Sequence, residues 1–167
     1  MASVGIIMGS VSDMDIAREC IMTLKNFEIE CDIVVSSAHR TPEKTALWAK
    51  SAKKKGHSAI IAFAGAAAHL AGVVAADTNL PVIAVPIAAT SLGGLDALLS
   101  MVQMPGGIPV AVMAIGKAGA KNAALYACQI IAVSDEEVYE KLENYRKQMA
   151  EKIESDNLKL ESLINEE

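Results

Sequence analysis

Charge is almost missing from the middle of this 167-residue chain: between residues 58 and 134 only Asp77, Asp96, Lys117 and Lys121 carry it. A small domain exposes much of its surface, so such a stretch is expected in contacts between subunits as well as inside one, and a homo-oligomer with a large apolar interface follows. Unbroken hydrophobic runs are missing too. The longest uncharged stretch, residues 97–116, has the length of a bilayer span but contains Pro105, Gly106, Gly107 and Pro109, which argues against a membrane segment. No basic segment precedes an apolar one in MASVGIIMGS, so a secretory signal is not expected and a cytoplasmic location is. Cysteine is scarce: Cys20, Cys31 and Cys128 form no CxxC pair, a pattern of reduced, buried thiols rather than disulfides or zinc ligands. No trio of His, Cys or acidic residues has metal-ligand spacing, so no bound metal is expected. A net charge of -5 without a basic cluster argues against a nucleic-acid partner. No Gly/Ser-rich or Pro-rich linker divides the chain, which implies one domain: a body over 1–133 and a helical extension of it over 134–167.

What is present is a repeated unit. Residues 4–8 form a short apolar run, and from Asp13 the residues Ile16, Ala17, Cys20, Ile21 and Leu24 recur at helical spacing, with Ser12 as the expected cap. A second strand over 31–35 precedes a helix expected to be capped by Thr41 with Pro42 at its first position and to end near Gly56. Continuous apolar strands are expected over 59–64, 81–85 and 109–115, with helices running towards Asp77, over 95–102 and up to Ala132. Ser134 and Glu137 have capping-box spacing ahead of Val138, Leu142, Tyr145 and Met149, and the periodicity weakens beyond Lys152, so the last dozen residues are expected to fray. Strands apolar on both faces, each followed by a helix, predict a parallel sheet covered on both sides, a Rossmann-like or flavodoxin-like α/β domain. Ligands in such folds sit beyond the carboxyl ends of the strands, the edge that GSVSD, SSAHR and GAAAHLAG occupy.

Those loops carry the candidate chemistry. Small residues and two hydroxyls in GSVSD suit a phosphate at a helix amino terminus, although a serine-capped turn explains them equally well. Asp13 would repel a phosphate and better suits sugar hydroxyls. In SSAHR, Arg40 has the fork for a phosphate or carboxylate and His39 can exchange a proton near neutrality; an ion pair and a strand cap are the plain alternatives. His69 lies in an Ala/Gly turn and can equally be a satisfied turn histidine. His57, beside Gly56 in a charged stretch, reads as a solvated loop residue, and Trp48, Met101 and Met104 as core or interface.

The motifs IMGSVSD (7–13), SSAHRTP (36–42), GAAAHLAG (65–72), VQMPGGIPV (102–110) and AIGKAGAKNAAL (114–125) closely resemble the PurE family of purine biosynthesis, in the same order and over nearly the whole chain. The resemblance implies a flavodoxin-like three-layer α/β/α sandwich assembled as an octamer. It implies the branch with His-Arg-Thr-Pro, which moves a carboxylate from the exocyclic nitrogen of N5-carboxyaminoimidazole ribonucleotide to ring C4 without ATP, biotin, metal or other cofactor. By motif, His39 is then the proton-transfer residue; Ser10, Asp13 and Arg40 bind substrate, with Ser12 and Ser37 helping at the phosphate. The turn containing Ala66, His69 and Leu70 surrounds the imidazole and the migrating carboxylate. Three positions depart from the family pattern: Ala66 replaces a glycine, Ala71 a proline, and Gly106 the arginine that usually follows QMP.

Two other readings stay open: a CO2-dependent aminoimidazole ribonucleotide carboxylase, and a non-catalytic nucleotide-sensing domain on the same fold. A flavin carrier is disfavoured because aromatics make up only 4% of the chain.

Overall fold

The computed structural model describes residues 2–165. Five parallel strands, β1 (Ser3–Met8), β2 (Glu30–Val35), β3 (His57–Gly65), β4 (Val82–Ile87) and β5 (Ala111–Val112), lie in the order β2-β1-β3-β4-β5. This is the flavodoxin-like order, with its switch point where β1 has β2 on one side and β3 on the other. Helices α1 (Met14–Asn26), α5 (Lys117–Ala132) and α6 (Glu136–Asn165) close one face; α2 (Pro42–Ser51), α3 (Leu70–Ala76) and α4 (Leu95–Val102) close the other.

The strand period of two divides the core between these layers. Along β3, Ile61 and Phe63 pack with Leu24, Ala124 and Cys128, while Ile60 and Ala62 pack with Trp48, Val74 and Met101. Trp48 can lie close on the sheet because Gly5 is beneath it: a Cβ there would come within 2.8 Å of the indole. Gly119 on α5 serves the same purpose, since a Cβ would collide with the Ala114 carbonyl.

Several expectations are corrected. Ser12 does not cap α1; Ser10 caps a short 3-10 turn (Val11–Asp13), its side chain accepting from Ser12 N–H while Asp13 reaches back to Ser10 N–H. Thr41 stands at the N-cap position of α2 with Pro42 after it, but its hydroxyl bonds to Ser37 instead of capping. That helix stops at Ser51 and the chain turns to Gly56 at φ 88°. Asp135, not Ser134, caps α6, its carboxylate accepting from Val138 N–H at 3.2 Å. α6 remains helical through Asn165, although its outer part is exposed. Cys31 is only half-buried, because β2 is an edge strand.

β5 is far shorter than the apolar run 109–115 suggests, and β4 supplies the reason. Ala84 and Pro86 accept from Met113 and Gly116 on the β5 side, at 2.9 Å each. Residues of a parallel strand aim N–H and C=O at the same neighbour, so Pro86 has no proton to return and the ladder ends there. Among the described residues no helix is long and apolar enough to cross a membrane.

Candidate active site

The loops after β1, β2 and β3 converge at the switch point on a groove of about 400 Å3. Ser10, Ser12, Asp13, Ser37, His39, Arg40, His69 and Leu70 all line it, so eight of the nine motif-assigned site residues are brought together. Ala66 does not line it. It forms the bend behind the groove at φ 55°, a left-handed conformation suited to glycine, and its carbonyl accepts from Ala68 N–H at 2.9 Å. Ala71 occupies the second position of α3, where a proline's missing N–H would cost no helical bond, so alanine continues the same helix. Gly106 lies in the exposed loop after α4, where an added Cβ would meet nothing within 4 Å.

The two histidines meet although thirty residues separate them: His39 Nε2 is 2.9 Å from His69 Nδ1, the rings edge to face at 81° with centroids 5.0 Å apart. One nitrogen must donate and the other accept, so the pair holds one hydrogen between its rings and presents its other nitrogens to the surroundings. His69, in its Ala/Gly turn, is therefore the hydrogen-bond partner of His39.

Arg40 joins two of the loops. Its Nη2 donates to the Gly9 carbonyl at 3.2 Å and its Nε to Ser37 Oγ at 3.4 Å, which uses two of five N–H donors and leaves the others for an anion. Asp13 is buried, its Oδ2 accepting from Ser10 N–H at 3.1 Å. Burial raises its carboxyl above the ordinary carboxylate value, while bonds from Ser10 and Ser12 partly oppose the rise. Ser12 Oγ donates to Ser10 Oγ at 3.0 Å, so both hydroxyls are within one polar cluster beside the groove.

A larger cavity, about 1090 Å3, opens at the amino ends of β4 and β5 between Lys50, Asp77 and Pro109. Lys50 and Asp77 pair there at 3.2 Å, and no histidine or cysteine faces it, whereas His39 and His69 both line the smaller groove. Among the described residues no three His, Cys, Asp or Glu side chains are grouped to hold a metal. Sequence reasoning missed Ser36 and Thr45, whose hydroxyls lie under the His39 turn, and Ala89, which closes the groove from the loop after β4. The doubled serine at 36–37 was the available signal for the first.

The AIR carboxylase family model matches residues 3–152. N5-carboxyaminoimidazole ribonucleotide mutase of Pyrococcus abyssi is 52% identical over 89% of this chain and 84% of its own. The mutase of Escherichia coli K12 is 46% identical over 91% and 90%. The crystal structure of Treponema denticola PurE superposes with a TM-score of 0.86 at 34% identity, covering 96% of this chain and 99% of that one. Motif order, sheet order and relatives agree: the chain belongs to the AIR carboxylase (PurE) family.

Proposed function

We propose that the protein is an N5-carboxyaminoimidazole ribonucleotide mutase, working in purine biosynthesis on a small ribonucleotide. The geometric observation that carries this reading is the His39–His69 contact beside Arg40 in one groove, a proton carrier next to an anion anchor. Relatives with that name at 46–52% identity support it.

In this reading the carbamate C–N bond breaks, its electron pair stays on the exocyclic nitrogen, and His39 gives that nitrogen a proton. CO2 remains in the groove, ring C4 forms the new C–C bond, and the C4 proton returns to His39. Confinement makes recapture effectively unimolecular, which is why no ATP-driven activation is required. Arg40, with Ser10, Ser12 and Ser37, holds the phosphate; Asp13 accepts from ribose hydroxyls; Leu70 walls the imidazole. His69 keeps the His39 ring oriented through the contact between them.

Conversion of the carbamate to the C4 carboxylate without ATP is the test, run beside aminoimidazole ribonucleotide with bicarbonate. Turnover of the carbamate is expected; turnover with bicarbonate alone would replace this reading by the carboxylase. The same reading has the protein acting as a homo-oligomer, an octamer in the family pattern. An apolar stripe left uncovered on and before α4, Leu92, Leu95, Leu99 and Val102, supports it. Sedimentation of a single protomer at micromolar concentration would overturn that part.

A further inference from the structure

Under the turn that carries His39 and Arg40 lie three hydroxyls that the reaction does not use. Ser36 and Thr45 are 2% and 0% exposed. Ser36 Oγ is 2.8 Å from Thr45 Oγ1 and 3.1 Å from Thr41 Oγ1. Hydroxyls are costly to bury unless each finds a partner, and alanine or valine would fill these places without that cost. The partners they find are one another and the backbone of the turn at Ser37 and Thr41.

Counting protons shows how the chain runs. Each hydroxyl has one to give. Thr45 Oγ1 lies 3.1 Å from the Thr41 carbonyl, and Thr41 Oγ1 lies 3.1 Å from the Ser37 carbonyl. With those two protons committed, Ser36 becomes the donor, over its shorter path to Thr45. Thr41 Oγ1 also accepts Ser37 N–H at 2.9 Å, so one hydroxyl grips both polar groups of Ser37. Ser37 Oγ in turn accepts from Arg40 N–H at 3.3 Å and from its Nε at 3.4 Å. Ser36 N–H donates to the Met8 carbonyl at 2.9 Å, next to Gly9, whose carbonyl takes the other end of the Arg40 fork. The buried hydroxyls thus tie the second loop to the first at the point where Arg40 bridges them.

We propose that Ser36 and Thr45 are positioning residues: through Thr41 and Ser37 they set the Arg40 guanidinium for the substrate's phosphate, and so govern affinity more than the chemical step. This rests on the mutase reading for its substrate but not for its geometry. The consequence is a split between binding and turnover that a purely structural role would not give.

The experiment compares Thr45→Val, Ser36→Ala and Thr45→Ser with the wild type in steady-state kinetics, in ribose 5-phosphate binding, and in amide exchange at Arg40 and Thr41. Thr45→Val and Ser36→Ala are expected to raise KM and the ribose 5-phosphate Kd about ten-fold, the effect of one lost hydrogen bond, with kcat lowered less than about three-fold. Exchange at Arg40 and Thr41 should quicken by a similar factor, and Thr45→Ser should restore all three readouts. Unchanged KM and Kd, a fall in kcat alone, or unchanged exchange would overturn the proposal. Should Thr45→Val fail to fold, Ser36→Ala removes a single oxygen and carries the same readouts. If the wild type shows no turnover, the mutase reading fails while ribose 5-phosphate binding and exchange still decide this one.

Discussion

At the amino edge of the sheet His57 is buried as the first residue of β3, its Nδ1 2.8 Å from Ser3 Oγ and its Nε2 3.5 Å from Asp32 Oδ2. At the carboxyl edge His39 and His69 meet at a similar distance, but on an open groove beside Arg40. The amino edge has a serine, a histidine and an aspartate in a row but no open space beside the imidazole: Trp48 packs against it, Lys55 already pairs with Asp32 at 2.7 Å, and the cavity at that edge is not lined by any of the three. The carboxyl edge has space, anion donors with hydrogens to spare, and a second imidazole to take up or return a proton. Residue types therefore do not make a site in this protein; access and uncommitted donors do.

Removing one histidine at each edge separates the two most strongly. His39→Asn is expected to lower kcat on the order of 10²–10⁴-fold with the fold intact, measured by carbamate turnover and circular dichroism. Turnover that survives would dismiss His39 as the proton carrier. His57→Ala should do the reverse, costing about 2–4 kcal/mol in urea unfolding through the emptied space beside Trp48, with kcat per folded molecule within about two-fold. A large fall in that kcat would show the amino edge to be part of the site. Arg40→Ala should raise KM about 10–100-fold, the range for a charge-assisted contact, and have a smaller effect on kcat.

Smaller effects sharpen the picture of the groove walls. Ala66→Gly is expected to stabilise the fold by about 1 kcal/mol, because glycine adopts φ 55° without the Cβ penalty; an unchanged unfolding midpoint would show that the bend carries no strain. Asp13 offers a pH signature. Its folded-state pKa lies above the unfolded value, so the fold is favoured while the carboxyl is protonated. That contribution is lost as pH rises through the interval between the two values, and the cost persists above it. Asp13→Asn should accordingly raise the Tm at pH 7, with the difference closing as pH falls below the ordinary value of about 3.9. A difference that does not vary with pH would assign the effect to packing.

Most of the fold was legible because its cues are local. The apolar period marked α4 at residues 95–102, where the structure has Leu95–Val102, and Pro42 marked the start of α2. What failed depended on neighbours in space. β5 ended early because Pro86, on another strand, cannot donate to it. His57 looked solvated because Lys53, Lys54 and Lys55 precede it, yet Trp48 from α2 and Asp32 from β2 close around it. Ser134 and Asp135 are both good caps one residue apart, and backbone geometry chose the second. Within the site, residue types and their loops could be read from the motifs, but the His39–His69 contact and the hydroxyls beneath the turn could not.

The order of residues was enough for the succession of strands and helices, the loops that end on the carboxyl edge, and the family. Strand and helix periods are properties of a few adjacent residues, and motif order is a property of the chain. That His39 faces His69, that Arg40 reaches the Gly9 carbonyl and that His57 is sealed away came from the folded chain alone. Those distances follow from sheet order and register, which place residues thirty positions apart side by side and are set by the packing of both faces at once.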